Sequence, residues 1–148
     1  MDSNGMKIHL VTIGKPKLHY AHMGWDEYLL RLMRFHKVNV THLSDKYTDN
    51  AAKILETAGD SYKVALVIGG KEMDSTKLAQ FLKKRELEAK EVSFLIGGPE
   101  GLPQKVIDKA DYEWSLSPLT FPHDLAMVVT LEALYRASTI NAGIPYHK

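Results

Sequence analysis

Two glycine- and proline-rich runs have the composition of a ligand site built from backbone. Gly97-Gly98-Pro99-Glu100-Gly101 follows the apolar run Phe94-Leu95-Ile96. Ser115-Leu116-Ser117-Pro118-Leu119-Thr120-Phe121-Pro122-His123 comes about fifteen residues later. A strand that ends in Gly-Gly-Pro leaves main-chain N–H and C=O groups uncovered by side chains, so a flat or polar ligand can approach them closely. The glycine run is not a P-loop, because no Gly-Lys-Ser/Thr follows. It fits the dinucleotide fingerprint poorly, since Pro103 and Gln104 stand where that helix would pack. Taken alone it suits a tight turn better than a ligand loop. His19 and His22 lack a carboxylate or thiol at ligand spacing and no His-Glu-x-x-His occurs, so no metal is expected. Glu132 and Arg136 stand four residues apart, the spacing of a helical ion pair.

The elements that must position these runs follow from the periodicity of apolar residues. Met6 to Ile13, Lys37 to Leu43, Lys63 to Ile68, Glu91 to Ile96 and Tyr112 to Leu116 read as strands. Between them Tyr20 to Phe35 puts Trp25, Tyr28, Leu29, Leu32 and Met33 on one helical face. Thr48 to Ala58 reads as a helix stopped by Gly59-Asp60. A third helix runs from the cap at Asp74-Ser75-Thr76 to Glu88, a short one from Pro103 to Ala110, and a last one from Asp124 to Ile140. Strands alternating with helices predict an α/β fold with a mostly parallel sheet and helices on both faces. Ligands of such sheets sit outside the carboxyl ends of the strands. The turns after Ile68, Ile96 and Leu116 all fall there, and are expected to converge on one pocket.

Composition bounds the function classes. A chain of 148 residues, 45% hydrophobic and 25% charged, is expected to be one ordinary globular domain over residues 1–148. It has no cysteine, which excludes a disulfide framework and a thiolate metal site. No apolar run approaches the ~20 residues of a membrane span and no signal-peptide core opens the chain, so a cytoplasmic protein away from membranes is expected. The formal net charge is +1, low for a dedicated nucleic-acid domain. The positive excess lies in residues 1–91, which carry 15 Lys/Arg against 12 Asp/Glu, and five of the seven histidines precede residue 43.

The combination of motifs says more than any one of them. Gly-Gly-Pro-Glu-Gly after a buried strand, Leu-Ser-Pro-Leu-Thr-Phe-Pro-His, Glu-Ala-Leu-Tyr-Arg-Ala on the following helix and Pro-Tyr-His near residue 148 resemble the ribosomal RNA large-subunit methyltransferase H family, a small member of the SPOUT methyltransferases. The resemblance spans nearly the whole chain and is strongest from Val92 onward. It implies a C-terminal trefoil knot in the α/β fold, a rarity among folds. It also implies a homodimer, S-adenosyl-L-methionine as methyl donor, and methylation of a pseudouridine at N3 in a stem-loop of large-subunit ribosomal RNA. Carried over position by position, the cofactor residues are Leu66, Gly97, Leu116, Ser117, Pro118, Leu119, Thr120 and Phe121. Leucine and phenylalanine suit the faces of an adenine whose edge is read by backbone groups. On periodicity alone, Leu66 and Leu119 read better as core.

Methyl transfer is an in-line displacement, so positioning is expected to supply most of the rate, up to ~7–11 kcal/mol. An imide nitrogen must lose its proton, and a base that titrates near neutrality suits that task. His147 beside Tyr146 is the leading candidate, expected to fold over the pocket, and His123 is second. Arg136 is read as a contact to RNA phosphate or base through its planar donor fork. Members of the family usually carry an arginine four residues after the histidine of Pro122-His123; here that residue is Met127. Lys15, Lys17, His19, Tyr20 and His22 form a plausible compensating RNA patch. A non-catalytic adenosine-ligand or RNA-binding module of the same fold would keep the glycine loops and tolerate loss of His147 and Arg136.

Overall fold

The computed structural model describes residues 5–89 and 91–147. Five strands, β1 (Lys7–Ile13), β2 (Lys37–Leu43), β3 (Tyr62–Glu72), β4 (Glu91–Ile96) and β5 (Tyr112–Ser115), form one sheet in the order β2-β1-β4-β3-β5. Every pairing is parallel. The helices are α1 (His19–Leu32), α2 (Ala51–Ala58), α3 (Ser75–Glu88), α4 (Gln104–Lys109) and α5 (His123–Ala142).

Alternation along the central strands divides the core in two. Ile8 and Leu10 of β1 and Val92, Phe94 and Ile96 of β4 face a large cluster shared with α1, α3 and α5, which includes Trp25, Leu82, Met127 and Leu131. Val11, Ile13 and Leu95 face the other way, onto Ile54 and Ala58 of α2 and Val106 of α4. Helices therefore cover both faces, and β1 and β4 read as nearly continuous apolar runs because each face is buried.

Several boundaries differ from the sequence expectation. The helix expected over Thr48–Ala58 starts three residues later as α2, because the Asn50 side chain accepts from Lys53 N–H, and a 3₁₀ turn at Asp45–Tyr47 precedes it. Helix α1 ends three residues before Phe35, and Met33 stays half exposed instead of joining the buried face. Pro103 is the residue before α4, where its extended backbone sets the helix entry. The largest difference is β3, which does not stop at Ile68. Leu66 and Lys71 both register with Trp114, so Val67 to Gly70 loop out of the ladder and the strand resumes to Glu72.

Helix α1 has no cap from its own preceding residue. The two backbone donors just ahead of it are satisfied by the buried Asp124 carboxylate of α5, which accepts from Lys17 N–H at 2.8 Å and Leu18 N–H at 2.6 Å. One side chain thus pins the β1–α1 loop to the start of the last helix. Among the described residues no helix is long and apolar enough to cross a membrane.

Candidate active site

The carboxyl ends of β3, β4 and β5 enclose a solvent-open cleft of about 130 Å³. Leu66, Val67 and Ile68 come from β3; Ile96 to Pro99 and Gly101 from the turn after β4; Ser115 to Ser117, Leu119 and Phe121 from the segment after β5; His123 and Ala126 from the first turn of α5. The three turns do converge.

Gly97 is required by crowding. A Cβ there would overlap the carbonyl carbon of Gly101 and lie 2.5 Å from the backbone nitrogen of Leu102. The turn closes tightly on itself with Gly101 N–H donating to Gly98 C=O. The facing segment is shaped by hydroxyls: Ser115 Oγ donates to Ser117 C=O at 3.0 Å, and Ser117 Oγ accepts from Leu119 N–H at 3.0 Å. Ser117 is engaged in holding the loop.

Of the eight cofactor positions expected from sequence, Leu66, Gly97, Leu116, Ser117, Leu119 and Phe121 line the cleft, as does His123. Pro118 and Thr120 lie in the same segment but outside the lining. Sequence reasoning missed the lining residues Val67 and Ile68. The apolar run reaching Gly69-Gly70 was their only signal, and it reads equally as the end of a buried strand.

Arg136, Tyr146 and His147 form a second group. Gly143 takes a left-handed conformation (φ 70°) at the end of α5 and turns the following residues back along the helix. The Tyr146 hydroxyl donates to Glu132 Oε2 at 2.9 Å, and the Arg136 Nη2 donates to the same oxygen at 2.7 Å. The Arg136 guanidinium lies 4.7 Å from the centre of the Tyr146 ring. His147 Nδ1 is 3.3 Å from Arg136 Nη1, and since a guanidinium only donates, the imidazole accepts. The hydrogen bonds to Glu132 raise the Arg136 pKa. Burial first, then hydrogen bonds with Tyr28 and Glu132, raise that of Tyr146, which therefore stays a donor.

These residues do not fold over the cleft of their own chain. His123 opens α5 at the cleft, and Arg136 stands roughly 20 Å farther along the axis at about 1.5 Å per residue. The tail returns along α5 because Glu132 and Arg136 hold it there.

The expected RNA patch is exposed at the carboxyl end of β1 and the start of α1, the same end of the sheet as the cleft. Lys17 pairs with Asp45 at 3.4 Å and His22 with Asp26 at 3.5 Å. Beside Lys15, burial and that lysine's charge lower the pKa of His42, keeping it neutral at pH 7. Met127 is fully buried among α5, α1 and the sheet, so this position faces the core and offers no RNA contact. Among the described residues no group of three or more His, Asp or Glu could hold a metal ion.

Residues 6–147 match the family model described as predicted SPOUT methyltransferase. A ribosomal RNA large subunit methyltransferase H of Deinococcus radiodurans is 48% identical over 145 residues, covering 97% of this chain and 99% of the relative. The chain belongs to the ribosomal RNA large subunit methyltransferase H family of SPOUT methyltransferases. A family relative from Clostridium novyi is 39% identical and covers 97% of this chain and 100% of its own length. The fold is shared with more distant solved structures. A tRNA (m1G37) methyltransferase from Aquifex aeolicus superposes with a TM-score of 0.58 at 15% identity, covering 97% of this chain and 73% of that one. A probable methyltransferase from Bordetella pertussis gives 0.59 at 14% identity, covering 92% and 96%.

Proposed function

We propose that this protein is an S-adenosyl-L-methionine-dependent ribosomal RNA methyltransferase that methylates N3 of a pseudouridine in a stem-loop of large-subunit ribosomal RNA in the cytoplasm. The observation that carries the reading is the cleft, built in a member of this family from apolar side chains and bare peptide groups. Leu66, Ile96, Leu116 and Phe121 offer apolar surface for the faces of an adenine. Main-chain groups of the turn after β4 and of the loop after β5 would meet its polar edge, which would otherwise be buried unpaired. The donor, when bound, supplies a methyl carbon on a sulfonium. The trefoil threading implied by the resemblance belongs to the same proposal.

The RNA nitrogen loses its proton, forms the new N–C bond, and the C–S bond breaks to leave a thioether. Arg136 turns from Glu132 and His147 toward an RNA phosphate or the target base. That movement frees the Nδ1 lone pair of His147 to take the proton. His123 remains the second candidate from the cleft side. Lys15, Lys17, His19, Tyr20 and His22 hold the RNA, and steep salt dependence of binding is expected.

One protomer keeps Arg136 and His147 far from its own cleft, so the site is completed by a second copy. Met23 and Leu30 on the outer side of α1 and Met33 just after it recur at helical spacing, each at least half exposed, and supply an apolar face for a twofold partner. Sedimentation is expected to show a dimer, and Leu30→Asp to give monomers that bind the donor without methylating RNA. A fully active, concentration-independent monomer would exclude a shared site. The decisive test is mass spectrometry of ribosomal RNA from cells lacking the protein: a methylpseudouridine must vanish and return with the wild-type chain but not with Arg136→Ala.

A further inference from the structure

We infer that Ile68, on the looped-out part of β3, is a specificity residue of the donor site: together with Leu119 it clamps the flat face of the donor's purine between the two lips of the cleft. This inference rests on the proposed reading of the cleft. Ile68 is 72% exposed and Leu119 70% exposed, yet both line the cleft. They reach it from independent segments, one in the β3 loop-out and the other in the loop after β5. The ladder explains why Ile68 is free. Leu66 and Lys71 both pair with Trp114, so Ile68 lies in the stretch that the β5 pairing skips. Its neighbour Leu66 packs against the main core, whereas Ile68 spends its side chain on solvent at the mouth of the site.

Two large apolar side chains held open in water at one mouth gain free energy when a planar apolar surface enters between them. The methionine end of the donor, which is charged, has no such use for them. The pair therefore selects the base end and orients it, leaving the sulfonium to point away from these lips.

Isothermal calorimetry of the full chain with S-adenosyl-L-methionine tests the inference without relying on turnover. Ile68→Ser is expected to weaken Kd about tenfold and Ile68→Leu by less than about threefold. The heat-capacity change of binding should become less negative in Ile68→Ser, the mark of lost apolar burial. Leu87→Ser is the control, since Leu87 is 85% exposed on α3 and is not among the cleft-lining residues. Equal Kd and heat-capacity change for wild type and Ile68→Ser would overturn the inference, as would an equal loss in Leu87→Ser. Absence of binding by the wild type would instead overturn the reading of the cleft, and the inference with it.

Discussion

Arg136 shows how one side chain can be read two ways until its neighbours are known. Its spacing from Glu132 is that of a surface ion pair worth only about 0.3–0.5 kcal/mol. In the fold it also meets the Tyr146 ring and His147, so it organises three groups with chemistry in them. Arg136→Ala should lower turnover about 10²–10³-fold, the loss seen when one donor aimed at a reacting group is removed. Donor affinity by calorimetry should be unchanged, and unchanged turnover would remove Arg136 from the site. Asp124 carries the opposite kind of role. Its carboxylate satisfies two backbone donors just ahead of α1. Asp124→Ala leaves both unpaired and should cost about 2–3 kcal/mol in urea unfolding. Asp124→Asn, which keeps an acceptor oxygen, should cost less.

At the scale of elements, the donor site depends on turns whose backbones approach one another more closely than side chains allow. The turn after β4 holds Gly97 against Gly101 and Leu102, so Gly97→Ala must open it. Calorimetry is expected to show donor binding weakened more than tenfold, about 1.4 kcal/mol. Thermal melting should show the sheet retained at a cost of about 1–3 kcal/mol. A variant that binds normally would show that this turn does not shape the cleft. The β3 loop-out is the complementary case, where the sheet gives up ladder bonds and moves Ile68 from a buried strand to the mouth of the cleft.

For the molecule as a whole, a buried imidazole ties together segments far apart in sequence. His36 Nδ1 accepts from Met6 N–H at 3.2 Å, while its Nε2 lies 2.9 Å from Ser138 Oγ, which donates to Leu134 C=O. Glu86 lies 4.0 Å from Nδ1, but that nitrogen's lone pair is already used by Met6, so the neutral ring is the one the fold holds. Burial lowers the His36 pKa from 6.5 to about 4. The unfolded chain therefore takes up a proton before the folded one does, and stability falls as pH drops from 6.5 toward 4. The loss is at most about 3.4 kcal/mol, at 1.36 kcal/mol per pKa unit. Burial also raises the Glu86 pKa, and that carboxyl's protonation partly offsets the loss in the same acid range. Urea midpoints at pH 7, 5.5 and 4.5 should decline in the wild type and decline less in His36→Gln; equal slopes would assign the acid sensitivity to other groups.

The order of strands and helices, the burial of both sheet faces and the gathering of three turns at one end were all legible in the sequence. They follow from periodicity and from glycine and proline, whose backbone effects are local. The motifs from Gly97 to Pro122 marked the cleft for the same reason. Strand order, the loop-out at Val67 to Gly70 and the tie from Asp124 to the β1–α1 loop came only with the tertiary structure. Each depends on partners far away in the chain: Trp114 for the loop-out, and Lys17 and Leu18 for Asp124. The direction of the tail was likewise decided in three dimensions, where hydrogen bonds to Glu132 and Arg136 draw Tyr146 and His147 along α5 and away from their own cleft.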